Sequence, residues 1–145
     1  MKLVFGTIAA VALATTALAH SGATGIVKER MDMMKDLGAT LKSLSVMARS
    51  GAHDPAFITT SAQEMQAHAT HLADMFPEGS DDNPSEAAPA IWTDGAGFDA
   101  LFDDLKAAAV ALEKSADDRE VFPELIARIG QTCRDCHDDF RVKKH

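Results

Sequence analysis

Residues 119–140 read R-E-V-F-P-E-L-I-A-R-I-G-Q-T-C-R-D-C-H-D-D-F. Within them Phe122, Ile126, Ile129, Cys133, Cys136 and Phe140 recur at alternating steps of four and three. That period follows the α-helical turn and sets all six on one helix face. Pro123 fits a helix only in the first turn, where its missing N–H costs no intrahelical bond, so the helix is expected to begin around Arg119.

The same arithmetic holds upstream. Phe98, Leu101, Leu105, Ala108 and Leu112 form a stripe that ends at Ser115-Ala116-Asp117-Asp118. Ile58, Ala62, Met65, Ala69, Leu72 and Phe76 form another, opened by Asp54 as helix cap with Pro55 at the first helical position. Met34, Leu37, Leu41, Leu44 and Ala48 form the first, in a helix that begins near Thr24 and stops at Ser50-Gly51. Residues 77–92 hold Pro77, Gly79, Asp81-Asp82, Pro84 and Pro89 and read as a loop. No segment sustains period-two alternation, so no sheet is expected. Four amphipathic helices with two short connections and one longer crossing predict an all-α, antiparallel four-helix bundle.

With 145 residues, 46% of them hydrophobic and 25% charged, the chain fits one globular domain rather than a disordered or disulfide-framed one. Acidic residues outnumber basic ones 22 to 14, a formal charge of −8 that is the wrong sign for a phosphate-binding surface, so no nucleic acid partner is expected. Most charges lie off the apolar stripes, at Glu29, Lys35, Asp36, Asp103, Asp104, Lys106, Asp138 and Asp139. Met1-Lys2, an apolar run and the A-x-A pattern that ends at Ala19 read as a secretory signal peptide over residues 1–19. Cleavage there leaves a domain of residues 20–145 with 13 basic and 22 acidic groups, a net charge of −9. No later stretch approaches the ~20 apolar residues of a membrane span. The expected compartment is the periplasm.

Cys133-Arg134-Asp135-Cys136-His137 is C-x-x-C-H and holds both cysteines of the chain. Two thiols attack the two vinyl groups of haem to form thioethers, and the histidine just after the second thiol offers an imidazole to the iron. On a helix the three residues share a face, so all three are expected to point into the bundle interior. A thioredoxin-type dithiol lacks its βαβ setting here, and zinc lacks a second cysteine pair. A structural disulfide in a haem-free bundle suits an oxidising compartment but leaves His137 without a role. The expected cofactor is one covalent haem c with its iron. No nucleophile elbow or acid–base pair is evident, so no enzyme is expected.

The chain resembles the class II c-type cytochromes of the cytochrome c′ family. The resemblance is carried by Val27-Lys28-Glu29-Arg30-Met31-Asp32-Met33-Met34-Lys35, by Ile91-Trp92, and most specifically by C-R-D-C-H-D-D-F-R over residues 133–141. It implies a four-helix bundle with the haem motif near its C-terminus, Cys133 and Cys136 as thioether anchors and His137 as the proximal iron ligand. The sixth iron position distinguishes members: gas-binding high-spin relatives leave it open, and low-spin relatives fill it with a methionine four residues after an arginine of the first helix. Arg30 and Met34 have that spacing. The resemblance therefore implies Met34 as distal ligand and an electron-transfer protein. The alternative is a five-coordinate protein that binds nitric oxide or carbon monoxide.

The acidic pairs at 81, 103, 117 and 138 read either as solubilising charge or as a face for docking basic redox partner proteins. The resemblance adds a possible homodimer, since members often pair through their first two helices. Arg30 is read either as a partner of a haem propionate or as an exposed helix arginine, and Arg141 as a propionate partner or a cap of the last turn. Met31 lacks the arginine spacing. Two subsidiary metal readings are His68 and His71 with Met65 and Met75 nearby, and a copper-chelating N-terminal His20. Both compete with plain solvated histidines.

Overall fold

The computed structural model describes residues 22–82 and 84–143. The expected signal peptide and His20 lie outside the described residues. The helices are α1 (Gly25–Ser50), α2 (Pro55–Ala73), α3 (Ala90–Thr93), α4 (Gly95–Lys114) and α5 (Phe122–Phe140). The four long ones are those the apolar stripes predict, and the described residues contain no strand, only an isolated bridge between Ala87 and Arg141.

Local chemistry sets the helix ends. Gly51 stops α1 with φ +71°, a left-handed conformation that costs glycine least. The Asp54 carboxylate accepts the Phe57 N–H at 3.1 Å, and Pro55 opens α2 where no donor is needed. Asp94 caps α4 in the same way through the Gly97 N–H. A Cβ at Gly97 would stand 2.5 Å from that carboxylate, so a larger residue there would have to displace the capping side chain.

Two boundaries differ from expectation. The segment read as a loop through Trp92 ends earlier, because residues after Pro89 wind into the single turn α3. Its Trp92 indole N–H donates to the Phe76 carbonyl at 2.9 Å and ties this turn to the end of α2. The last helix begins at Phe122 rather than around Arg119. Asp118 accepts the N–H groups of Glu120 and Val121 and so holds those residues in a turn.

The long helices close a ring in which α2 packs on α4, α4 on α5, α5 on α1 and α1 on α2. The α2–α4 contact is the most extensive. Ile58, Ala62, Met65, Ala69 and Leu72 of α2 and Ala108, Ala109 and Leu112 of α4 are buried there almost completely. The alanines allow the two backbones to approach, and each fully buried leucine or isoleucine contributes about 1.5–3 kcal/mol. Phe102 is buried as well, although the expected stripe passed through its half-buried neighbour Leu101. At one end of the bundle the rings of Phe76, Phe98, Phe102 and Phe140 stack edge to face or tilted, with Phe98 at 4.8–5.2 Å from the other three.

On α1 only Leu37 and Leu44 of the expected stripe are fully buried; Met34, Leu41 and Ala48 are half-buried. For Met34 and Leu41 the reason is the cleft that this helix face borders.

Candidate cofactor site

Between α1 and α5 lie two adjoining cavities of about 370 Å³ and 240 Å³. The larger runs toward the aromatic end and is bounded by Arg30, Met31, Phe76, Glu86, Phe140 and Arg141. The smaller is almost wholly apolar, with Leu37, Leu41, Met65, Leu105 and Ile129 beside Cys133. Met34, Cys136 and His137 line both. The three residue types singled out by chemistry, a thioether, a thiol and an imidazole, thus come together where the cavities join.

Cys133 and Cys136 are half-buried free thiols. Burial pushes both up; for Cys136, burial and then the neighbouring Cys133 and Asp139 raise it from its ordinary 9.0 to about 11. Both sulfurs are therefore neutral S–H groups on an apolar wall. The expectation that all three motif residues enter the interior holds for the cysteines and fails for His137, which is exposed. Four residues on from Cys133, about 40° around α5, it still lines both cavities. Partial desolvation of the ring and the nearby Arg141 push its imidazole down, against the opposite pull of Asp138 and Glu86. A neutral imidazole is the form that binds a metal.

Arg30 is not the exposed helix arginine that sequence allowed, since it is 3% exposed and lines the larger cavity. Its Nη1 donates to Ser80 Oγ at 2.8 Å and to the Met75 carbonyl at 3.3 Å. Its Nη2 donates to Ser85 Oγ at 2.5 Å and to the Ser80 carbonyl. The guanidinium also stacks over Phe76, 4.7 Å from the ring centre. Burial lowers its pKa from the ordinary arginine value, and Asp81 offsets part of that. It staples α1 to the segment after α2 and so shapes the rim of the larger cavity.

Met31 stands on the wall of the same cavity as Met34, which its distance from Arg30 in sequence did not reveal. Glu86, also unforeseen, lies there paired with Arg141. Neither Ser80, Ser85 nor Glu86 falls in a periodic segment, so no pattern pointed to them. His68 is half-buried and His71 exposed while Met65 and Met75 face the core, so these four share no common side. Among the described residues no group of three or more His, Cys, Asp or Glu converges as a metal site. No helix among them is long and apolar enough to cross a membrane.

The arrangement suits a flat, largely apolar macrocycle: apolar walls on α1, α2, α4 and α5, two neutral thiols three residues apart on α5, an imidazole beside them, and a thioether on α1. Residues 25–141 match the family model described as Cytochrome C′. A cytochrome c′ of Rhodopseudomonas palustris is 33% identical over 146 residues, covering 99% of each chain. A cytochrome c-556 of Agrobacterium fabrum is 31% identical, covering 84% of each. The solved structure of cytochrome c′ from Rhodopseudomonas palustris superposes with a TM-score of 0.77 at 32% identity, over 85% of this chain and all of that one.

Proposed function

The chain belongs to the cytochrome c′ family, and from that premise we propose that it is a periplasmic electron carrier with a six-coordinate haem iron. Proteins of this family carry one covalently bound haem c. Cys133 and Cys136 would hold it through thioethers, and His137 and Met34 would be the side chains that ligate its iron. The haem supplies the one-electron couple. What the chain would add is attachment through the two thiols, an imidazole and a thioether as iron donors, and apolar walls that exclude water. A thioether is a soft, neutral donor that favours the reduced iron and raises the potential.

The observation that carries this reading is the position of Met34, which lines both cavities together with Cys136 and His137. Its half-buried side chain packs at the edge of the core and opens on the cleft. The relative named cytochrome c-556 is nearly as similar as the one named cytochrome c′. The latter supports the second reading, an open iron that binds nitric oxide or carbon monoxide.

Export rests on residues 1–19, and the net charge of −9 after their removal favours a basic redox partner whose docking weakens with salt. Pairing of two copies through α1 and α2 belongs to the same reading; Val46 and Phe57, exposed on these helices, support it.

The test is the visible spectrum of the mature protein, oxidised and reduced, before and after carbon monoxide. A low-spin spectrum indifferent to carbon monoxide is expected, with Met34→Ala binding the gas while keeping its haem. A high-spin wild type that binds carbon monoxide, or a Met34→Ala protein that excludes it as before, would remove Met34 from the iron.

A further inference from the structure

Arg141 follows His137 by four residues, closes α5 as its C-cap and lines the larger cavity with it. Its Nε–H donates to Glu86 Oε2 at 2.6 Å, and its Nη2 pairs with the same oxygen. Glu86 comes from 55 residues earlier in the chain, on the segment that crosses from α2 to α4, and is part of the same cavity wall.

The main chain holds this pair on both sides. Val142 N–H donates to the Glu86 carbonyl at 2.8 Å, and Ala88 N–H donates to the Phe140 carbonyl at 3.0 Å, so Ala87 and Arg141 form an antiparallel bridge. The Glu86 side chain is 24% exposed and that of Arg141 51%. A half-exposed arginine at a helix end ordinarily spreads its head group into solvent. Here a better-buried carboxylate, placed by backbone hydrogen bonds, holds it against the cavity.

We propose that Glu86 is a positioning residue for the haem: it holds Arg141 on the cavity wall beside His137, cancels its charge, and thereby sets the reduction potential of the iron. The proposal rests on haem attachment through the C-x-x-C-H motif but not on the identity of the sixth ligand. Reduction adds one electron to ferric iron, so the oxidised state carries one more positive charge. An uncompensated cation on the wall disfavours that state and raises the potential; removing that cation lowers it. Net charge and burial near the centre are among the levers by which a protein tunes haem.

The experiment is a potentiometric titration of the mature holoprotein as wild type, Glu86→Gln, Arg141→Gln and the double variant, each at low and high salt, with haem content read from the visible spectrum. Glu86→Gln is expected to shift the potential upward and Arg141→Gln downward, with the double variant returning toward wild type. Both single shifts should shrink as salt rises, since exposed charges are screened. Glu86→Asp keeps the charge and should lie nearer wild type than Glu86→Gln.

Glu86→Gln protein with intact haem and an unchanged potential overturns the proposal. So does an equal shift in Glu86→Asp and Glu86→Gln. Should Glu86→Gln fail to hold haem, Arg141→Gln decides alone, and an unmoved potential there is equally fatal. A wild type that proves high-spin and binds carbon monoxide refutes the Met34 assignment while leaving these potential shifts readable.

Discussion

The α2–α4 seam and the α1–α5 cleft are built from helices of comparable length, 19 and 20 residues against 26 and 19, around one shared core. In the seam, small residues such as Ala62, Ala69, Ala108 and Ala109 are fully buried, and leucines fill what lies between them. Across the cleft, Met34, Leu41, Cys133 and Cys136 are all half-buried and line cavities. One pair of helices supplies stability and the other supplies a place for a cofactor. An apolar stripe therefore serves two ends: it meets another helix, or it meets something the chain does not itself encode.

The sharpest way to break this comparison is to remove both anchors. The Cys133→Ala/Cys136→Ala chain is expected to carry no covalent haem on a denaturing gel stained for haem peroxidase activity, an all-or-none loss. Retained covalent haem would mean attachment elsewhere.

Paired truncations probe the same contrast in stability. Leu72→Ala, at a fully buried seam position, should lower the unfolding free energy by about 2–5 kcal/mol in urea. Its haem spectrum should stay that of wild type. Leu41→Ala, half-buried on the cavity wall, should cost about 1–2 kcal/mol and disturb the spectrum instead. Equal costs would show that cleft and seam are packed alike.

The smallest effect expected is a pH dependence. Before attachment, burial, then Cys133 and Asp139, hold the Cys136 thiol up to about 11 against its ordinary 9.0. The folded chain keeps this proton where the unfolded chain has lost it. The stabilisation is thus fully present below pH 9 and lost as pH rises toward 11. A thioether has no such proton. Urea midpoints of the haem-free chain should therefore fall more steeply over that range than those of the holoprotein, and parallel curves would contradict the assignment.

Much of the bundle was legible because its signals are local. The four-three spacing of Phe122 to Phe140, the Asp54-Pro55 cap and Gly51 after α1 each state which face turns inward or where a helix ends. The C-x-x-C-H chemistry was legible for the same reason. Periodicity identifies an apolar face but not what covers it, and so Met34, Leu41 and Ala48 were expected to be as buried as Leu44. Spacing grouped His137 with the thiols, and it does line the cavities with them, but spacing did not show that it would stay exposed. The partners of Arg30 and Arg141 come from residues 75–86, where no repeat relates a side chain to a helix 50 or 55 residues away. Such contacts exist only once the chain has closed.

The stapling of Arg30 bears on which substitutions the rim tolerates. Its two terminal nitrogens divide their hydrogen bonds among two serine hydroxyls and two carbonyls, all uncharged, while the flat face lies on Phe76. Lysine would preserve the charge and lose the shape, because a single ammonium nitrogen has neither two separated donor sites nor a plane to lay on a ring. At this position the conserved quantity is the fork, and an exchange that looks mild on paper unfastens one helix from the strap that crosses it.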